Sequence, residues 1–324
     1  MCTAISLKTR DFYFGRNLDL DYSYEETVTV TPRNYPFSFR TMGHIEQHYA
    51  MIGMAYVVEE YPLYYDATNE KGVSMAGLLF SGNAYYPEEK EGMDNISPFE
   101  FIPWILAQCG NMQEVRVLLE KILLANIHFS KELPLTPMHW MISYKEESIV
   151  VESQKSGLHV YENPIGVLTN NPSFPVQLWN LSNYMGLDNE PLENTFAKGL
   201  QLKAYSKGMG ALGLPGDVSS ASRFVRAAFV RNNSVSEESE EESVGQFFHI
   251  LTSVEQQRGC VQMDNGAYEV TQYSSCCNTE KGIYYYTTYG NRRINAVDMH
   301  RENLDGVRLR SYSLEDKESV NYQN

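Results

Sequence analysis

The residue with the clearest chemical potential is Cys2, which becomes the N-terminus once Met1 is removed. A terminal cysteine carries a thiol and a free α-amine on one residue. The thiolate is the nucleophilic form, and an α-amine with a pKa of about 7.7–8.0 can accept the thiol proton near neutral pH. Small residues after Met1 permit its removal, so Cys2 is a candidate nucleophile that supplies its own base. The alternative is a small residue that merely starts a buried strand.

Two charged residues, Arg16 and Asp19, follow at a spacing that returns them to Cys2. Residues 4–14 read as two short strands joined by a turn, which predicts a hairpin. The second strand then leads both side chains back to the start of the first. A positive charge at Arg16 favours the thiolate, and the Asp19 carboxylate can accept hydrogen bonds from the α-amine. An ordinary surface Arg–Asp pair is the alternative interpretation.

The elements that must position these residues follow from hydrophobic periodicity and turn residues, and we find no internal linker or repeat. Strands are predicted at 27–31, 61–66, 73–78, 139–143, 148–152, 268–273, 282–289 and 295–299. Helices are predicted at 98–109, 112–126, 223–230 and 246–256, the third with Ser219 or Ser220 as its N-cap. This order fits two stacked antiparallel sheets covered by helices on both outer faces.

Composition limits the possible classes of protein. A length of 324 residues suits a single layered domain over 1–324. The five cysteines are an odd number, and the adjacent Cys276 and Cys277 make a poor disulfide. No leader precedes Cys2 and no apolar run approaches ~18 residues, so we expect a cytoplasmic protein with reduced thiols and no membrane association. A net charge of −15 argues against nucleic acid as a partner.

Other chemical motifs are weaker. His44 and His48 have helical spacing but not the order of a zinc-protease motif, so a surface turn is expected there rather than a metal site. His139 lies in a strand pattern and is expected in the core. The glycines of 208–213 lack the strand and helix context of a dinucleotide loop. We therefore expect no metal and no cofactor.

Several blocks of the chain resemble the choloylglycine hydrolases, the family of bile salt hydrolases and penicillin V acylases within the N-terminal-nucleophile group. The blocks are residues 1–4, 14–19, 69–72, 166–172, 213–217, 222–226 and 282–286. They span nearly the whole chain in the family's order and lean toward the bile salt hydrolases. The resemblance implies an α+β fold, the αββα four-layer sandwich of the N-terminal-nucleophile hydrolases, and often a homotetramer.

The resemblance also implies roles for five matching residues. Cys2 attacks the amide carbonyl, and its own α-amine carries the proton to the leaving amine. Asp19 and Arg16 hold and tune that pair. Asn170 is expected to direct its side-chain amide at the developing oxyanion, a contribution of roughly 10²–10³ in rate. Arg223 would neutralise a nearby carboxylate; judged locally, it would be an exposed helix charge and Asn170 a turn residue.

One position departs from the family's pattern. The family usually has asparagine after 76–78, and penicillin V acylases tend to have tyrosine, whereas this chain has Leu79. The backbone N–H at this position serves the oxyanion in the resemblance, so leucine need not abolish turnover. Leucine offers the substrate apolar area worth about 1.5–3 kcal/mol when fully buried. An altered rate or head-group preference is one hypothesis, and a tolerated change with repacking is the other.

Three functions remain open. The first is hydrolysis of glycine- or taurine-conjugated bile salts through a Cys2 thioester, with possible re-conjugation if another amine outcompetes water. For such anionic substrates, local arginines must outweigh the net negative charge. The second is a penicillin V or acyl-homoserine-lactone acylase with the same machinery. The third, a non-catalytic scaffold, would leave Cys2 dispensable.

Overall fold

The computed structural model describes residues 1–324 as two large antiparallel sheets with helices on their outer faces. The strands are β1 (Cys2–Lys8), β2 (Phe12–Leu20), β3 (Thr27–Thr31), β4 (Phe37–Phe39), β5 (Gly43–Ile45), β6 (Met51–Val58), β7 (Tyr61–Asn69), β8 (Ser74–Leu79), β9 (Asp94–Ile96), β10 (Ile122–Leu124), β11 (Met138–Tyr144), β12 (Glu147–Gln154), β13 (Gly157–Glu162), β14 (Val167–Leu168), β15 (Val270–Asn278), β16 (Ile283–Thr288), β17 (Asn295–Asp298) and β18 (Arg310–Ser313). The helices are α1 (Phe101–Gln108), α2 (Met112–Leu119), α3 (Phe174–Asn180), α4 (Ser220–Asn233) and α5 (Glu240–Thr252), with 3₁₀ turns at Leu181–Tyr184, Met209–Ala211 and Met299–Arg301.

The six-stranded sheet has the order β14-β1-β2-β15-β16-β17, and the eight-stranded sheet has the order β13-β12-β11-β8-β7-β6-β3-β18. Their inner faces share one core, to which Phe14 of the first sheet and Met54 and Met141 of the second contribute. Helices α4 and α5 pack on the six-stranded sheet, and α1 packs on β7 and β8. The predicted αββα sandwich of the α+β class is confirmed. None of the helices has the length and hydropathy needed to cross a bilayer.

The predicted N-terminal hairpin is present and sets the register of the site. Strands β1 and β2 pair so that Cys2 lies opposite Leu18. Strand β2 also pairs with β15, and this contact is close at Gly15, where a Cβ atom would lie 2.0 Å from the carbonyl oxygen of Ser275. Only glycine fits at that point, so the residue before Arg16 is dictated by the approach of the neighbouring strand.

Two predicted helices were wrong in part. Helix α2 ends at Leu119, and residues 122–124, assigned to that helix, form β10, which pairs in parallel with β9. A run of so few apolar residues fits both the helical and the strand periodicity, and pairing with β9 decides in favour of the strand. Helix α5 begins at Glu240 rather than at 246 and ends at Thr252, because Ser239 caps it and the acidic run complements the helix dipole.

The pair of histidines also differs from expectation. His44 is exposed in β5, whereas His48 is buried, with Nδ1 2.8 Å from the Tyr49 carbonyl and Nε2 2.8 Å from the Tyr35 carbonyl. Backbone groups therefore occupy both of its ring nitrogens. His139 is fully buried, as predicted. No group of three or more His, Cys, Asp or Glu residues is arranged to hold a metal ion.

Candidate active site

Cys2 begins β1 at one end of the sandwich, where strands of both sheets start or finish. Its side chain is buried and lines an apolar cavity. Because side chains alternate along a strand, Cys2 and its cross-strand neighbour Leu18 face the space between the sheets. The thiol therefore lies at the inner face of the six-stranded sheet, at the edge of the cavity.

Arg16 faces the same side as the thiol because it lies two residues from Leu18. Its Nη1 donates to the carbonyl oxygens of Gly77 at 2.5 Å and Tyr65 at 3.0 Å, both in the eight-stranded sheet. The guanidinium thus spans the two sheets beside Cys2. Burial lowers the pKa of Arg16, but nearby acidic and thiol groups, Cys2 foremost, raise it above its usual range. Arg16 is therefore a permanent positive charge next to the thiol.

Asp19 lies on the opposite face, since it is an odd number of residues from Arg16. Its Oδ1 accepts a hydrogen bond of 2.6 Å from the hydroxyl of Thr271, and its Oδ2 lies 4.0 Å from Nη1 of Arg223. Burial raises the pKa of this carboxyl, while Arg223 and the N-terminal ammonium oppose the rise. With Met1 in place, the Asp19 carboxylate makes no hydrogen bond to the Cys2 nitrogen.

Arg223 reaches the start of β1 from α4, which begins after the N-cap Ser219. It is fully buried and not an exposed helix charge. Its Nη1 donates at 2.6 Å to the Cys2 carbonyl and at 2.6 Å to the Thr3 hydroxyl. Burial lowers the pKa of Arg223 and the Asp19 charge opposes that change. The residue joins the backbone of the candidate nucleophile to the buried carboxylate.

Asn170 lies directly between Cys2 and the eight-stranded sheet. Its Oδ1 accepts from the Cys2 nitrogen at 2.7 Å and from Nη2 of Arg223 at 2.8 Å. Its Nδ2 donates to the Leu79 carbonyl at 2.8 Å, which leaves the second hydrogen of the amide for another acceptor. The acceptor side of the amide is therefore occupied at the nucleophile, and only the donor side is open to a substrate.

The peptide of Leu79 lies on an open edge of β8. Phe80 donates its backbone N–H to Pro137 at 2.8 Å, so the alternation of an antiparallel pair turns the peptide groups of Gly77 and Leu79 away from β11. Their carbonyls accept the guanidinium and amide hydrogen bonds described above. The Leu79 N–H points to the same edge as its carbonyl and therefore faces the region of the thiol, while its side chain lines the cavity.

The cavity beside these groups is apolar and aromatic. Arg16 and Asp19 carry the only charged side chains among its lining residues. The remaining wall comes from the ends of β2 and β7 and from two loops near 98 and 129–136, and includes Leu20, Tyr24, Leu63, Phe99, Phe129 and Leu135. Such a wall suits a large apolar group with few charges.

Met1 is present in this structure and extends the β1–β2 ladder by one residue. Its ammonium donates to the Asp19 carbonyl at 2.8 Å and also to the Glu269 carboxylate, and its carbonyl accepts from the Asp19 N–H at 3.0 Å. Glu269 is buried, and burial raises its pKa. Sequence patterns did not single out Glu269 or Thr271, because neither belongs to a motif near Cys2 in the chain.

All six candidate residues thus meet at one site. They come from four segments that are far apart in the chain, which carry in turn Cys2 with Arg16 and Asp19, then Leu79, then Asn170, and finally Arg223. A thiol, a fixed cation, a buried carboxylate and open N–H donors are the groups that acyl transfer requires. The fold and this constellation suit an enzyme of acyl transfer. The model of the linear amide C–N hydrolases of the choloylglycine hydrolase family matches residues 2–312, and the chain belongs to that family.

Individual relatives cover the whole length. The bile salt hydrolase/transferase of Lactiplantibacillus plantarum is 54% identical over 314 residues, which are 97% of each chain. The bile salt hydrolase/transferase of Clostridium perfringens is 39% identical over 329 residues and matches 100% of both chains.

Solved structures agree. A variant of the conjugated bile acid hydrolase from Clostridium perfringens superposes with a TM-score of 0.92 at 38% identity over 100% of both chains. A penicillin V acylase from Agrobacterium tumefaciens gives a TM-score of 0.75 at 18% identity, covering 96% of this chain and 90% of the other, which shows a common fold.

Proposed function

We propose that this protein hydrolyses the amide bond of bile salts conjugated to glycine or taurine, with Cys2 as the nucleophile after removal of Met1. The observation that carries the proposal is the position of the buried Cys2 thiol, beside Arg16 and at the edge of an apolar cavity. A relative that is 54% identical over 97% of the chain is named for this substrate class.

In the proposed reaction, the Cys2 sulfur attacks the amide carbonyl and its proton passes to the α-amine. The amine then protonates the leaving nitrogen, so glycine or taurine departs and a thioester remains. Water, deprotonated by the same amine, hydrolyses the thioester and frees the bile acid and the thiol. The charge of Arg16 favours the thiolate, while Asp19 and Arg223 hold the amine and the backbone of Cys2.

The oxyanion would be held by two donors, the free hydrogen of the Asn170 amide and the backbone N–H of Leu79. Support comes from the Asn170 hydrogen bonds, since its oxygen is anchored by Cys2 and Arg223 and only its nitrogen can serve the substrate. A donor fixed in this way contributes roughly 10²–10³ in rate. A leucine side chain at 79 is compatible with this role because the donor belongs to the backbone.

The cavity would take the steroid, and the charged head group would leave toward solvent. Arg16 and Asp19 are the only charged residues along the cavity, which disfavours placing the anionic end of the substrate inside it. Leu79 keeps a second candidate open, an acylase for penicillin V or for acyl-homoserine lactones, because its side chain adds apolar area where the family usually has a polar one. Transfer of the acyl group to another amine would use the same thioester.

We also propose that the chain acts as one domain over 1–324, apart from Met1, as a homo-oligomer and in the cytoplasm. All five cysteines are unpaired, and a working thiol is best preserved in a reducing compartment. A tetramer is the state that the family resemblance favours.

The decisive experiment measures intact mass together with amine release from glycocholate, taurocholate and penicillin V. We expect a protein that lacks Met1 and releases glycine or taurine, and we expect Cys2→Ser to abolish release. Cys260→Ser is the matched control, because Cys260 is exposed and should be dispensable.

Cleavage of penicillin V alone would move the protein to the acylase alternative. Loss of Met1 without release of any amine would contradict both. Conjugates formed only when a second amine is added, detected by mass spectrometry, would establish transfer.

A further inference from the structure

Asp66, on β7, is a buried carboxylate that the proposed mechanism does not use. It is 2% exposed and faces the space between the sheets. Its Oδ1 accepts from the hydroxyl of Tyr273 at 2.7 Å, and its Oδ2 accepts from Tyr284 at 2.7 Å and Ser275 at 3.2 Å. All three donors belong to the six-stranded sheet. Asp66 therefore fastens the eight-stranded sheet to the sheet that carries the thiol.

Two connections lead from Asp66 to Arg16. The Ser275 hydroxyl, which donates to Asp66, accepts the backbone N–H of Arg16 at 3.1 Å. The Tyr65 carbonyl, which accepts the Arg16 guanidinium, belongs to the peptide that immediately precedes Asp66. Arg16 has no carboxylate within 4.0 Å, and its Nη2 has no hydrogen-bond partner. The nearest carboxylates therefore balance the charge of Arg16 at longer range, and one of them is Asp66, which faces the same space between the two sheets.

We propose that Asp66 is a positioning residue that acts on the Cys2 reaction through Arg16, by offsetting part of the positive charge that Arg16 presents to the thiol. This inference rests on the proposed function. Other ionisable groups around Arg16, Asp66 and the start of β1 are Asp19, Tyr65, Arg223, Glu269, Tyr273, Cys277 and Tyr284.

A role of Asp66 in offsetting the Arg16 charge and a role only in sheet packing predict opposite shifts in the pH dependence of Cys2 for Asp66→Asn. Asparagine keeps the shape and can still pair with the tyrosine hydroxyls, but it removes the negative charge. If Asp66 offsets Arg16, the thiolate becomes more favourable and Cys2 reacts at lower pH. If Asp66 merely supports the sheet packing, the Arg16 guanidinium becomes less well positioned beside the thiol and stabilises the thiolate less. Cys2 then reacts at higher pH, in the direction expected for Arg16→Leu.

The test is the pH dependence of Cys2 alkylation by iodoacetamide, read by peptide mass spectrometry in protein that has lost Met1. We expect the midpoint for Asp66→Asn to fall by about one pH unit, which is roughly tenfold faster alkylation on the acidic limb. Glu70→Gln is the matched control, a partly buried carboxylate in the same hairpin that pairs with Arg33. Its midpoint should not move.

A midpoint for Asp66→Asn that is unchanged or higher would overturn the proposal, and so would an unchanged midpoint for Arg16→Leu. If Asp66→Asn does not fold, the double variant Tyr273→Phe/Tyr284→Phe replaces it, because loss of two donors favours the neutral carboxyl and should shift the profile the same way. Glycocholate turnover by the unmodified enzyme is measured in parallel. Its absence would contradict the proposed function, while the alkylation profiles would still decide the role of Asp66.

Discussion

Removal of the Arg223 charge should destabilise the protein mainly because it leaves the buried Asp19 carboxylate without its nearby positive charge. Arg223 is fully buried and lies 4.0 Å from the Asp19 carboxylate, whose Oδ2 has no hydrogen-bond partner. Breaking a buried pair by removing one partner costs about 3–5 kcal/mol. For 324 residues this corresponds to a fall in Tm of about 4–7 °C for Arg223→Met.

The pH dependence distinguishes this cause from lost packing. Burial raises the folded-state pKa of Asp19, and Arg223 is the first of the influences that lower it, so Arg223→Met raises it further. A carboxyl with a raised folded pKa stabilises the fold below its ordinary pKa of about 3.9, and that stability is lost as pH rises through the folded value. The Tm deficit of Arg223→Met should therefore be larger at pH 7 than at pH 4.5.

The assay is thermal unfolding of unmodified and variant protein at one concentration, at both pH values. Arg226→Met is the control, since Arg226 lies on the same helix and donates to backbone carbonyls of Ser253 and Pro215. Its deficit should be the same at both pH values. Adding Asp19→Asn to Arg223→Met should recover about 2 kcal/mol. Equal deficits for Arg223→Met at both pH values, or no recovery, would refute the reasoning.

Three further outcomes are expected. Leu79→Asn should change the ratio of kcat/KM between glycine and taurine conjugates by about tenfold if the side chain contacts the substrate, and identical kinetics on both would remove that idea. His139→Gln should lower kcat more than it raises KM, because His139 Nε2 lies 2.8 Å from the Thr169 carbonyl and steadies the loop that carries Asn170; an unchanged kcat would contradict this. In folded Cys2→Ser protein, a thiol reagent should modify Cys260 alone, since the other three cysteines are buried, and rapid modification of a second thiol would count against the fold.

Local patterns were sufficient for the N-terminal hairpin, for most of strands β7 and β8 and for the cap of α4. Each depends on residues close in the chain, where alternation of side chains and the hydrogen bonds of a serine act over a few positions. The hairpin register brings Cys2 opposite Leu18, with Arg16 and Asp19 on either side of that residue. The family resemblance added Asn170 and Arg223, which local patterns would have assigned to a turn and to an exposed helix face.

Tertiary structure decided the rest, because the remaining relations join segments far apart in the chain. Whether residues 122–124 continue a helix or pair with β9 depends on a partner more than twenty residues away. The anchoring of Asn170 by Cys2 and the contacts of Asp66 across the two sheets exist only once the sheets are stacked. A buried charge is tolerated only beside particular partners, and stacking brings those partners together.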